Sequence, residues 1–132
     1  MTMTATSPAH DGPKLFAAPL DEAAALSVAA CLFHGFGDAS RLAIVRHLSL
    51  GEHRVVDLVG HLGLAQSTVS KHLACLRDCG LVTSRPQGRA SVFALAHPEA
   101  TMTLLAAAER LLGLTGDAVA LCPTHGVPAA TP

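Results

Sequence analysis

Residues 62–82 read LGLAQSTVSKHLACLRDCGLV, and the fold turns on whether this stretch is one helix end, a tight turn and a second helix. Gly63 supplies the turn, because glycine adopts backbone conformations that other residues rarely do. From Gln66 onward, Val69, Leu73 and Leu76 recur at helical spacing and fall within about 60° of one another on a helical wheel. Gly80 marks the stop. Ser67, Lys71, Ala74 and Asp78 lie roughly opposite the apolar stripe, with Ser70 to one side. Small hydroxyls and a lysine on the outward face of a helix set behind a turn suit entry into a DNA major groove. The plain alternative is a solvated polar face.

The neighbouring segments build a domain around this unit. Upstream, VVDLVGHLG is a short helix with Val55, Leu58, Val59 and Leu62 inward. Before it, DASRLAIVRHLSLGEH has Asp38 as N-cap, Leu42, Val45 and Leu48 as the buried side, and Gly51 as the stop. The first helix lies in PLDEAAALSVAACLFHGFG, with Leu20, Ala24, Val28 and Cys31 as its stripe and Leu32 beside it. Cys31 on that stripe reads as a small apolar core residue. Downstream the period changes to two: LVTSR, then PQG, then RASVFAL predicts a β-hairpin with basic residues near its tip. From Pro98 a last helix of about 20 residues follows, with Leu104, Leu105, Ala108, Leu111 and Leu112 on a broad apolar face. That face exceeds what the small remaining core can cover, which predicts a homodimer.

The expected fold is mainly α with a small β-hairpin, a winged helix-turn-helix dimerising through its terminal helices. Residues 1–18 predict a flexible tail, 19–120 the DNA-binding and dimerisation domain, and 121–132 a C-terminal tail. Half of the residues are hydrophobic but only four are aromatic, all Phe, which suits close-packed helices. No apolar run approaches the ~18 residues of a membrane span, and no basic-then-apolar leader is present. A cytoplasmic protein without a membrane partner is expected, with its four cysteines reduced. The net charge of −1 hides an asymmetry: residues 41–91 hold seven Arg or Lys against three acids. A basic middle between acidic ends is compatible with phosphate contact on one face.

DASRLAIVRHL, the cadence from Ser67 to Val82 and the hairpin containing Gly88 and Arg89 together resemble the ArsR/SmtB family of metal-responsive transcriptional repressors over roughly residues 20–120. The resemblance implies a homodimer that binds double-stranded operator DNA and is not an enzyme. Ser67, Ser70 and Lys71 are the candidate contacts to bases or phosphates, with Gln66 and Thr68 flanking. Arg85 and Arg89 on the wing are candidates for backbone or minor groove. His72 belongs to the family cadence and either packs or touches phosphate. Ala65 departs from the family, which often has a capping Ser or Thr there; losing such a cap costs roughly 1 kcal/mol.

Cys75 and Cys79 have no obvious place in a DNA-reading helix. On the wheel they lie about 40° apart, on a flank between core and outward face. Their Cβ atoms stand roughly 5–6 Å apart, and cysteine rotamers close that to the ~3.8 Å between thiolates on a tetrahedral metal. Cys122, in the proline-broken LCPTHG, has no evident core to fill and makes a third thiol. A helix of ~20 residues is about 30 Å long, which tends to carry Cys122 away from its own recognition helix. The spacing resembles the CmtR-type branch of the family, which senses cadmium and lead. There, two recognition-helix cysteines and a C-terminal cysteine of the other subunit bind the metal, matching Cys75, Cys79 and Cys122. Cadmium or lead is therefore the expected effector, with zinc, mercury, copper(I) and arsenite open. His125 is a candidate fourth ligand. Metal binding that strains the recognition helix predicts release of the operator. Two alternatives stay open: a thiol switch using Cys75 and Cys79, and a Cys122/His125 hydrolase or transferase.

Overall fold

The computed structural model describes residues 21–122. The chain divides into two units, residues 1–30 and 31–132. The described part of the first unit is the opening of helix α1 (Glu22–Phe36), where the Asp21 carboxylate accepts a hydrogen bond from the Ala24 amide at 2.8 Å. In the second unit follow α2 (Ala39–Leu48), strand β1 (His53–Arg54), α3 (Val55–Leu62), α4 (Gln66–Asp78), β2 (Val82–Gln87), β3 (Ala90–Leu95) and α5 (Pro98–Leu114). This is the expected winged helix-turn-helix.

Local chemistry sets the boundaries. Asp38 caps α2, its carboxylate accepting from the Arg41 amide at 3.0 Å. Gly63, at φ +67, closes α3 and sends the chain into α4. Ala65 stands at the N-cap of α4 with no side-chain hydrogen bond, as its methyl requires. Pro98 opens α5, where its missing N–H costs nothing. The core joins Ile44, Val45 and Leu48 of α2, Leu58 of α3, Val69, Leu73 and Leu76 of α4, and Leu105 of α5 to the apolar face of the sheet.

The structure corrects the expectations in several places. The wing is a three-stranded antiparallel sheet in the order β1-β3-β2, with His53 opposite Phe93 and Arg54 opposite Val92. Two residues are too few for β1 to show a period. The hairpin turn is Gly88–Arg89 rather than PQG, because Gln87 pairs with Ala90 and Gly88 takes φ +64. Pro86 therefore lies inside β2, tolerated because β2 is an edge strand. On α2 the buried side is Ile44, Val45 and Leu48, with Leu42 only half-buried. The stripe expected on α1 is not buried among its described members: Val28 and Cys31 are exposed, Ala24 is half-buried, and Gly35 alone is fully covered. Helix α5 is shorter than expected. The chain leaves it at Thr115 and Gly116, which takes φ +101, although apolar residues continue beyond. Its buried positions are Thr101 and Leu105, whereas Leu111 is 62% exposed.

Candidate nucleic-acid and metal-binding sites

Helix α4 presents Gln66, Ser67, Ser70 and Lys71 to solvent with Thr68 half-buried, while Val69, Leu73 and Leu76 anchor its other side in the core. The outward face is thus built from the same periodicity that packs the helix. Arg89 is exposed at the hairpin turn. Arg85 is already engaged on the wing: its Nη2 and Nε donate to the Glu52 carboxylate at 2.6 and 3.0 Å. This bidentate pair raises the Arg85 pKa and holds the Glu52 carboxyl below its usual range.

His72 does not share the outward face. Its Nδ1 lies 3.3 Å from Arg41 Nη1, and its Nε2 lies 3.7 Å from Asp38 Oδ2. A guanidinium only donates, so Nδ1 accepts and Nε2 carries the proton towards the carboxylate. Arg41 also donates through Nε to the Gly35 carbonyl at 2.9 Å and through Nη2 to the His34 carbonyl at 2.8 Å. One guanidinium thereby satisfies the end of α1 and fixes the histidine of the recognition helix. The Asp38 carboxyl is held below its usual range chiefly by the Arg41 amide, with the Arg41 charge adding to it.

Of the four cysteines, Cys79 is the C-cap of α4, and its Sγ lies 3.4 Å from Sγ of Cys31. The Cys79 thiol also stands 3.3 Å from the Cys31 carbonyl, to which it donates. Cys75, one turn back on α4, is near enough for its thiol to act on that of Cys79. Burial first, then Cys31 and Cys75, push the Cys79 thiol up to about 11. Cys31 is therefore not the core filler that its stripe suggested: it is exposed and brings a third thiol to the recognition helix. One sequence signal marks it. Gly35 follows four residues later on the same face, and a β-carbon there would meet Cys79 Sγ at 3.4 Å and Leu81 Cδ1 at 3.1 Å. Missing side-chain volume one turn from a cysteine signals a close neighbour.

Cys122 reverses an expectation. Its side chain is 0% exposed and belongs to the core cluster, so it does have a core to fill. Beyond Gly116 the chain returns along α5 rather than projecting from it. The Glu109 carboxylate accepts from the amides of Leu121 and Cys122, the latter at 2.7 Å, and the thiol points at the Met102 carbonyl 3.7 Å away. Burial, then the Glu109 charge, raise the Cys122 pKa. Within one chain, then, Cys31, Cys75 and Cys79 gather, and Cys122 is seated elsewhere. His125 lies outside the described residues.

Residues 38–84, from the cap of α2 into the wing, match the model of the family described as "Bacterial regulatory protein, arsR family". The chain is 35% identical over 75 residues to the "Probable mercury resistance operon repressor" of Streptomyces lividans, covering 56% of this chain and 60% of that one. It is 43% identical over 70 residues to the "HTH-type transcriptional regulator CmtR" of Mycobacterium tuberculosis, covering 53% and 59%. The chain thus spans about six-tenths of the length of these two relatives. A solution structure described as the homodimeric winged helix-turn-helix DNA-binding domain Mb0332 from Mycobacterium bovis superposes with a TM-score of 0.66. It is 25% identical, with 80% of this chain and 97% of that one covered. The fold, the turn before α4 and the family match agree: residues 38–84 form a helix-turn-helix domain of the arsR family of bacterial regulatory proteins.

Proposed function

We propose that the chain is a metal-sensing transcriptional repressor that binds operator DNA as a homodimer and releases it when a soft metal binds cysteine thiolates. The carrying observation is the thiol cluster at the end of the recognition helix. Cys79 caps α4, Cys75 precedes it by one turn, and Cys31 lies 3.4 Å from Cys79, close to the ~3.8 Å of a tetrahedral thiolate site. A metal there grips the helix whose opposite face carries Gln66, Ser67, Thr68, Ser70 and Lys71, our proposed DNA contacts together with Arg85 and Arg89. His72 supports that face from behind by locking α4 to Arg41 and Asp38. Cys122 of the partner subunit completes the set on leaving its seat in the core, as the resemblance to the CmtR-type branch implies. All-thiolate coordination favours cadmium or lead, and the likeness to a mercury resistance repressor supports a soft metal. The homodimer is supported by the dimeric Mb0332 domain and by Leu26, Val28 and Phe33 on α1 and Leu111 and Leu114 on α5, all of which are exposed.

Cadmium–thiolate ultraviolet absorption, read alongside a gel shift on the protein's own promoter, tests this. Cys75→Ser and Cys79→Ser should abolish both the absorption and metal-driven release. Cys31→Ser and Cys122→Ser should each remove about one thiolate's share of the absorption. If Cys75→Ser still releases DNA with metal, the site is misplaced; an unchanged spectrum in Cys31→Ser or Cys122→Ser removes that residue from the ligand set.

A thiol switch is a second reading, and the geometry moves it from Cys75 and Cys79 to Cys31 and Cys79. Peroxide would take two electrons and the two thiol protons, leaving a disulfide and two waters. It ranks behind the metal because a Cys79 thiol at about 11 offers little thiolate nucleophile at neutral pH. A metal, by contrast, displaces the proton as it binds.

A further inference from the structure

A second cluster of metal-ligating side chains shares no residue with the cysteines. His47 in the last turn of α2, His53 in β1 and His61 in the last turn of α3 place one ring nitrogen each within 4.8 Å of the other two. The rings of His47 and His61 stack at 4.9 Å with 11° between their planes. His53 stands edge-on to them at 6.1 and 5.5 Å. We propose that these three histidines bind a borderline divalent cation of the zinc, cobalt or nickel class, independently of the cysteine site.

Two features carry the assignment beyond mere crowding. First, His53 Nδ1 lies 2.8 Å from the Gly51 carbonyl. A carbonyl only accepts, so Nδ1 holds the proton and Nε2 keeps its lone pair, the tautomer and orientation that backbone carbonyls impose on metal-ligating histidines. Second, the ligands come from three elements that already pack together, so the span is preformed. A tetrahedral ion with nitrogen bonds of 2.0–2.1 Å needs its nitrogens ~3.4 Å apart. With the nitrogens within 4.8 Å of one another, no pair has to close by more than roughly 1.4 Å, which side-chain rotations supply. Three imidazoles without a thiolate select borderline over soft cations, and three protein ligands leave a fourth position for water.

The site joins the helix that opens the helix-turn-helix to the wing, since His53 pairs with Phe93 of β3. A cation there clamps α2, α3 and the base of the wing into one arrangement. It can therefore alter the wing's approach to DNA without touching the recognition helix.

Cobalt(II) titration of the reduced full-length chain separates the two sites by colour. The histidine site should give visible d–d bands without thiolate-to-cobalt charge transfer in the near ultraviolet. His53→Gln and His61→Gln should each weaken that binding by more than about tenfold, while the Cys75→Ser/Cys79→Ser double variant keeps it. His61 is exposed, and far-ultraviolet circular dichroism of its variant should match the parent. Imidazole nitrogen NMR with zinc should show His53 Nε2 metal-bound and Nδ1 still protonated. Undiminished cobalt binding in both histidine variants, or loss of the d–d bands in the cysteine double variant, overturns the site. Neither result bears on cadmium at the cysteines, which is read in the charge-transfer band.

Discussion

At the scale of single residues, the Cys79 thiol is held between Cys31 and the bare backbone of Gly35. Gly35→Ala would drive a methyl to 3.1 Å from Leu81 and 3.4 Å from Cys79. Overpacking of this kind costs typically 1–3 kcal/mol, which outweighs the ~1 kcal/mol an alanine adds in a helix, so thermal denaturation should show a lower Tm. The Cys79 thiol sets a pH dependence as well. Between an ordinary thiol's 9.0 and its own value of about 11, the folded chain keeps a proton that the unfolded chain has lost. Raising the pH through that window therefore destabilises the fold, and Cys122, shifted the same way, adds to the effect. Urea midpoints measured from pH 8 to pH 11 should fall with pH, and less steeply in Cys79→Ser. Cys75 and Cys79 were legible as ligand candidates because their spacing lies within one helix. Cys31 was not, because its partner is 48 residues away and only packing brings them together.

Among the elements, α4 and the wing carry the informative differences. Val69, Leu73 and Leu76 could be assigned from sequence because a 3.6-residue period over 13 residues is hard to mistake. Strand β1 could not, since its two residues pair only when β3 arrives. The end of α5 was overrun because the apolar composition continues while Gly116 turns the backbone to φ +101. Ala65 leaves the start of α4 without a side-chain cap. Ala65→Ser should therefore add roughly 1 kcal/mol of stability in equilibrium urea unfolding. On the wing, Glu52 occupies the guanidinium that a phosphate would want. The pair is exposed, so Glu52→Gln should leave the urea midpoint nearly unchanged. The same change should tighten DNA binding and steepen its salt dependence by up to about one phosphate contact in a gel-shift salt series.

For the whole molecule, the exposed Leu111 and Leu114 of α5 are apolar surface that a lone chain leaves wet. Leu111→Glu/Leu114→Glu should shift sedimentation from dimer to monomer and abolish the gel shift, with the helical circular dichroism retained. An excess of apolar helix over available core was readable in the sequence, although the particular face expected on α5 was only partly right: Leu105 is buried and Leu111 exposed. Among the described residues no single helix is long and apolar enough to cross a membrane. The seat of Cys122 then has a consequence for sensitivity. A thiol that must leave the core, and give up its amide's bond to Glu109, before it can ligate is competent only in a minor population, and apparent affinity falls by that fraction. Each 1.4 kcal/mol of seating raises the metal concentration needed for response about tenfold. If Cys122 ligates as proposed, the packing around Met102 and Glu109 sets a detection threshold: traces of metal go unanswered, and the alarm level is written in the core rather than in the ligands.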